Sequence, residues 1–265
     1  VSDRRPIGIF DSGIGGLTVL AALQRRLPGE RYVYLGDTAR LPYGTKSAAT
    51  VVRYALRAGA FLAEGGIKML VVACNTASAA ALPALEEARA VPVVGVVLPG
   101  ARAAVAGGAR KVGVIGTEST VASGAYPRAV HALDPAVEVV TRACPLFVPL
   151  VEEGWFDHPV TREVAREYLQ PFADGRVDTL ILGCTHYPLL RAAIAEAVGD
   201  GVRLVDSAEA VAGEVAEIVG SSGAAARSRG ELHIQVTDGA ARVTRIARLI
   251  LPDALVNLEL VDLSD

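Results

Sequence analysis

Short runs of valine, isoleucine and leucine alternate along the chain with longer segments in which alanine, leucine and arginine recur at helical spacing. The runs Ile7–Phe10, Tyr32–Leu35, Met69–Ala73, Pro92–Val97, Lys111–Ile115, Val137–Thr141, Thr179–Leu182, Arg203–Val205 and His233–Val236 are almost continuously apolar. A strand with one wet face would alternate; continuity predicts parallel strands covered on both faces. Between them the helical period predicts helices, among them Leu17–Arg26, Ser47–Glu64, Leu82–Ala90, Val160–Gln170 and Leu189–Val198. Alternating strand and helix predicts an α/β fold built on open parallel sheets. Gly220–Gly230, small and polar, reads as a surface loop, and the segment from Glu231 returns to strand and then helix.

The pattern repeats. Gly8-Ile9-Phe10-Asp11-Ser12-Gly13 resembles Gly113-Val114-Ile115-Gly116-Thr117-Glu118, and Val71-Val72-Ala73-Cys74-Asn75-Thr76 resembles Ile181-Leu182-Gly183-Cys184-Thr185-His186. The offsets, 105 and 110 positions, are nearly equal. Buried strands resemble one another cheaply, but a matched cysteine at the end of each strand does not follow from burial. The repeat predicts two similar α/β domains, each with a strand running into a cysteine.

Composition narrows the classes. A chain of 265 residues, 51% hydrophobic and 21% charged, has ample material for a core and is neither disordered nor fibrous. A formal charge of −3 gives no footprint for nucleic acid. Three cysteines cannot all pair and are too sparse for a disulfide framework, which predicts free thiols in a reducing, cytoplasmic compartment. The first ten residues hold no secretory signal pattern. The most apolar stretch, Met69 to Leu85, is broken by Asn75, Thr76, Ser78 and Pro83, so no membrane span is expected.

The chemistry gathers at strand ends. Cys74 stands where a buried strand gives way to a helix, with Asn75 and Thr76 as candidate caps. Ligands of open α/β sheets bind beyond the carboxyl ends of strands, and a helix N-terminus suits a carboxylate and favours thiolate. Alone, Cys74 would read as a structural thiol. Cys184 at the matching junction changes that, and His186, two residues on, would project to the same side of an extended chain as a proton-handling partner. Cys144 reads as a packed core thiol. No C-x-x-C or H-E-x-x-H pattern occurs, so no metal is expected. The glycines of Asp11-Ser12-Gly13-Ile14-Gly15-Gly16 fit neither dinucleotide nor Walker spacing and predict a turn or close backbone approach to a small ligand. Asp11 reads equally as a helix cap or as an acid beside the thiol. The segment Gly36–Gly44 is long enough to line a site, Gly116–Val121 supplies hydroxyls, and Glu152 and Glu153 read by default as a solvated helix end.

Six segments in order, Ile7–Val19, Tyr34–Gly44, Val71–Ala79, Val112–Tyr126, Ala143–Gly154 and Ile181–Leu190, together resemble the glutamate racemase family. That resemblance implies two pseudo-symmetric α/β domains facing each other across a cleft, one discontinuous (1–97 with 207–265) and one spanning 98–206. It implies cofactor-independent interconversion of L- and D-glutamate by two thiols on opposite faces of the substrate. Cys74 would take the α-proton from D-glutamate and Cys184 from L-glutamate. Asp11 and His186 match the auxiliary acid/base residues, and Asp37 and Glu152 match supporting acids. Asp11, Ser12, Tyr43, Gly44, Asn75, Thr76, Thr185 and His186 match substrate-binding positions. Neither metal nor cofactor is implied, and a homodimer with a role in supplying D-glutamate for peptidoglycan is. Leu98 departs from the many members that carry an acid there. The chain begins just before its first strand, without the N-terminal extension of members regulated by a peptidoglycan precursor, which implies constitutive activity.

Three other readings stay open on the residues alone. An aspartate-type racemase of the same superfamily would use the same thiols in a smaller pocket. A Cys–His hydrolase with Cys184 as nucleophile would leave Cys74 idle and take its base from two residues away, where such bases usually come from another element. A solute-binding protein on the same scaffold would not need the thiol pair.

Overall fold

The computed structural model describes residues 3–88, 90–173, 175–220, 230–251 and 258–263. In chain order the strands are β1 (Ile7–Asp11), β2 (Tyr32–Gly36), β3 (Met69–Val72), β4 (Val93–Gly95), β5 (Lys111–Gly116), β6 (Glu138–Ala143), β7 (Thr179–Gly183), β8 (Arg203–Asp206), β9 (Leu232–Val236) and β10 (Leu258–Leu260). The helices are α1 (Leu17–Arg26), α2 (Ala48–Glu64), α3 (Asn75–Ala88), α4 (Val97–Ala106), α5 (Glu118–Ala122), α6 (Ala125–Leu133), α7 (Phe147–Glu152), α8 (Pro159–Leu169), α9 (Arg191–Val198), α10 (Ser207–Val219) and α11 (Ala240–Ile250). Of the loop predicted over Gly220–Gly230, residues 221–229 lie outside the described residues.

Two parallel sheets result, in orders β10-β9-β2-β1-β3-β4 and β6-β5-β7-β8. The order β2-β1-β3-β4 of the first recurs as β6-β5-β7-β8 in the second, which gives the internal repeat its architectural meaning. β1 and β5 are matched central strands; β3 and β7 are the matched strands that deliver Cys74 and Cys184. The first sheet draws on both ends of the chain, because β9 pairs onto β2 and β10 onto β9.

Continuity of apolar residues has the expected cause. Along β1, Ile7 and Ile9 pack with Val211, Val215 and Ile246, whereas Phe10 turns to the other face with Val51, Leu62 and Leu85. In the second sheet Leu180 and Leu182 meet Phe147, Leu169 and Ile194, and Ile181 between them meets Val114 and Val130 on the opposite face. Each such fully buried side chain contributes about 1.5–3 kcal/mol. Edge strand β6, by contrast, is only partly covered.

Two predicted boundaries are wrong for identifiable reasons. The strand expected over Pro92–Val97 stops at Gly95, and Val97 opens α4. Pro99 in the first turn is a start signal, since N–H groups there have no intrahelical partner to lose. The helix expected to begin at Leu82 begins at Asn75 and runs through Pro83. The alanine-rich stretch after Cys74 already belongs to it. Among the described residues no helix is long and apolar enough to cross a membrane.

Candidate active site

The carboxyl ends of both sheets' strands border one cavity of about 300 Å3. Ser12, Tyr43, Gly44, Cys74, Asn75 and Thr76 line it from the first sheet's loops; Thr117, Glu118, Glu152, Cys184, Thr185 and His186 line it from the second's. Two expected residues, Asp11 and Asp37, stand behind this wall and do not line it.

Cys74 follows β3 and immediately precedes α3, so the capping position falls to the cysteine and not to Asn75 or Thr76, which lie within the first turn. The Ala77 N–H donates to Cys74 Sγ at 3.4 Å, and the thiol donates to Ser12 Oγ at 3.3 Å. Burial, reinforced by the charge of Asp11, pushes this thiol up to about 12, against the downward pull of Ser12 and the Ala77 N–H. Burial thus weighs more on this thiol than the helix terminus does. Asn75 Oδ1 accepts from Tyr126 Oη at 2.6 Å, while its buried Nδ2 has no partner. Thr76 Oγ1 lies 2.9 Å from Thr117 Oγ1 and 3.1 Å from Thr120 Oγ1, a hydroxyl cluster that joins the two halves.

Cys184 and His186 meet, but across a turn and not along an extended chain. His186 has helical backbone angles (φ −78°, ψ −31°), and its Nδ1 lies 3.8 Å from Cys184 Sγ. Its Nε2 donates to Glu152 Oε1 at 3.3 Å. Glu152, at 9% exposure, is not the solvated helix end expected from the sequence; Glu153 beside it is the exposed one. Arg242, arriving from α11, donates to Glu152 Oε2 at 2.9 Å, and Arg245 reaches the Glu152 carbonyl at 3.3 Å. Burial works against an imidazolium at His186, but hydrogen bonds and charge from Cys184 and Glu152 outweigh it and hold His186 up at about 10. Burial raises Glu152 in turn, and His186 with Arg242 more than offset that, leaving it below the usual carboxylate range. Thiol, imidazole and carboxylate thus stand in line as a proton relay.

Asp11 closes β1, fully buried. Its Oδ2 accepts the Gly13 N–H at 2.9 Å and its Oδ1 accepts from Thr185 Oγ1 at 3.4 Å, across the two sheets' loops. It is therefore not a helix cap. Burial raises its carboxyl, only partly countered by the charge of His186 and by the Gly16 and Gly13 N–H groups. Asp37 accepts Arg40 Nε at 2.8 and 3.0 Å, the Tyr43 hydroxyl and, at 3.2 Å, Thr237 Oγ1. Its effect on the cavity is through Tyr43, which it fixes.

Of the glycines in the β1–α1 loop, Gly13 lines the cavity and Gly16 backs onto Asp11, whereas Gly15, like Gly44 after β2, lets the two halves approach closely. A methyl group at Gly15 would overlap Thr185 Oγ1 and His186 Nδ1, and one at Gly44 would lie 2.7 Å from Thr117 Cβ. Cys144 is a buried core thiol among Phe147 and Tyr187. Among the described residues no group of three or more His, Cys, Asp or Glu could hold a metal ion. Glu118, Tyr126 and Arg242 are contributions the sequence reading missed. The hydroxyl-rich Gly116–Val121 segment pointed toward the first, while nothing local marks Arg242, 90 positions from its partner.

Comparison with known proteins places the chain in a family. Residues 16–215 match the family model described as Asp/Glu/Hydantoin racemase. A glutamate racemase of Geobacter metallireducens is 53% identical over 262 residues, covering 98% of this chain and 97% of the relative. The crystal structure of a glutamate racemase isoform from Bacillus anthracis superposes with a TM-score of 0.91 at 40% identity, covering 97% of each chain. That of the Francisella tularensis glutamate racemase in complex with D-glutamate gives 0.90 at 37% identity over 98% of each. The chain belongs to the Asp/Glu/hydantoin racemase family, among its glutamate racemases, and is an amino-acid racemase.

Proposed function

We propose that the protein interconverts L- and D-glutamate by a two-base proton transfer in which Cys74 and Cys184 act from opposite faces of the α-carbon. The observation that carries this reading is that two thiols, delivered by the equivalent strands β3 and β7, border one small cavity. Racemisation must remove the α-proton from one face and return a proton to the other, so one base cannot do both without turning the substrate over. For L-glutamate, Cys184 takes the α-proton as thiolate and Cys74 gives its own to the opposite face; for D-glutamate the roles exchange. The imidazolium at His186 supplies the counter-charge for a thiolate at Cys184, and Glu152 holds it there. Asp11, buried and shifted upward, manages the proton on the Cys74 side, and Asp37 acts by fixing Tyr43.

Substrate carboxylates are held by the free Asn75 Nδ2, the hydroxyls of Ser12, Thr76 and Thr185, and the N–H groups that open α3 and follow Cys184, with Tyr43, Gly44 and His186 completing the wall. This arrangement suits an anion without requiring a lysine or arginine. A single-nucleophile hydrolase would use the Cys184–His186–Glu152 line but would give Cys74 no task. No step in this scheme calls for a cofactor or metal. The two units run 1–97 with 207–265 and 98–206, the enzyme works as a homodimer in a reducing cytoplasm, and its D-glutamate serves peptidoglycan synthesis. Decay of circular dichroism with L-glutamate, set beside L-aspartate, tests the substrate. Fast decay with glutamate and little with aspartate is expected; the reverse order would overturn the reading.

A further inference from the structure

Away from the racemisation cavity, three guanidinium groups converge on a second one. Arg53 and Arg57, one turn apart on α2, and Arg40, from the connection before that helix, line with Tyr54 a cleft of about 540 Å3. Arg40 Cζ lies 4.5 Å and Arg53 Cζ 5.4 Å from the centre of the Tyr54 ring. Arg40 uses its Nε edge on Asp37; its Nη2 is buried with no hydrogen-bond partner, and so is Arg57 Nε. Among the described residues neither Arg53 nor Arg57 forms an ion pair within 4.0 Å.

Arg40 has a structural task, holding Asp37 and covering Tyr54. That task does not account for the other two. Like charges at i and i+4 disfavour the helix that carries them, and buried guanidinium N–H groups without acceptors are costly. A chain with net charge −3 that gathers three arginines around one cleft has built a field that an anion would neutralise. Three planar donors around one centre suit a tetrahedral dianion, whose several oxygens accept from more than one guanidinium, better than a lone carboxylate. We propose that Arg40, Arg53 and Arg57 form a binding site for a phosphate-type dianion, separate from the racemisation cavity. The site does not depend on which substrate the racemase takes.

Isothermal titration of the full chain with inorganic phosphate in low-salt buffer tests this, with adenosine 5′-monophosphate in a parallel arm. Saturable binding is expected, weakened roughly tenfold or more in both Arg53→Ala and Arg57→Ala. Racemisation in phosphate-free buffer stays at the wild-type level in both, because neither side chain lines the catalytic cavity, and that activity also reports that the variants fold. Tighter binding of the monophosphate would assign the site to a phosphate monoester; equal or weaker binding would assign it to free phosphate. No saturable heat up to roughly 10 mM of either ligand, or binding that survives both substitutions, overturns the proposal.

Discussion

His186 Nδ1 lies 3.8 Å from Cys184 Sγ, whereas the sulfur of Cys74 faces the Ser12 hydroxyl at 3.3 Å. Two halves that repeat one sheet order give their thiols unlike company. Cys184 has an imidazole braced by Glu152; Cys74 has a hydroxyl, a backbone N–H and the buried Asp11. The resting site is polarised, with a counter-charge ready on one side and a proton held on the other.

The polarity has a pH signature. His186 is raised from an ordinary 6.5 to about 10, so its contribution to stability is complete below about 6.5 and is lost as pH rises through about 10. Denaturant unfolding of the wild type and His186→Asn checks this. The stability gap between them is expected to narrow steadily across that window, and a gap independent of pH would contradict the charged imidazole.

Close approach at Gly15 makes a second test. Gly15→Ala drives a methyl group into Thr185 and His186, so the Cys184–His186 relay must shift while both sheets remain intact. The expected result is a loss of about tenfold or more in kcat, since small misplacements of catalytic groups are expensive. Thermal unfolding should stay within a few degrees of wild type, roughly 1–2 kcal/mol.

Arg242 reaches Glu152 from α11, so its removal should act on the relay without touching substrate. In Arg242→Ala the Glu152 carboxyl loses one of the charges that lower it, and the acid limb of the pH–kcat profile is expected to move to higher pH. Arg242→Lys should restore most of the limb. An unchanged profile in the alanine variant would show that Arg242 merely packs there.

Much of this was legible in the sequence, and the exceptions have physical causes. Buried parallel strands announce themselves because both faces are apolar, which is why β1, β3, β5 and β7 could be read directly. The strand-end positions of Cys74 and Cys184 followed from the same signal. What depended on the chain's path through space was not legible. Glu152 looks solvated until α11 is seen to cover it, and Arg242 has no motif. The turn at His186 reaches by helical geometry the proximity that the sequence suggested through an extended one. At Cys74 burial and the charge of Asp11 outweigh the Ser12 hydroxyl and one capping N–H, a balance that no local pattern records.

Either enantiomer of glutamate incubated in heavy water with wild type, Cys74→Ala and Cys184→Ala tests the two-thiol mechanism most directly. Racemisation has an equilibrium constant of unity, so no variant can change kcat/KM in one direction only; hydrogen exchange, by contrast, can be one-sided. Wild type should place deuterium on the α-carbon of the product, because the second thiol delivers a solvent-derived hydrogen. Both variants should lose racemisation by about a thousandfold or more, with residual α-exchange confined to L-glutamate in Cys74→Ala and to D-glutamate in Cys184→Ala. Full racemisation in either variant, or product that keeps its original α-proton, would contradict it.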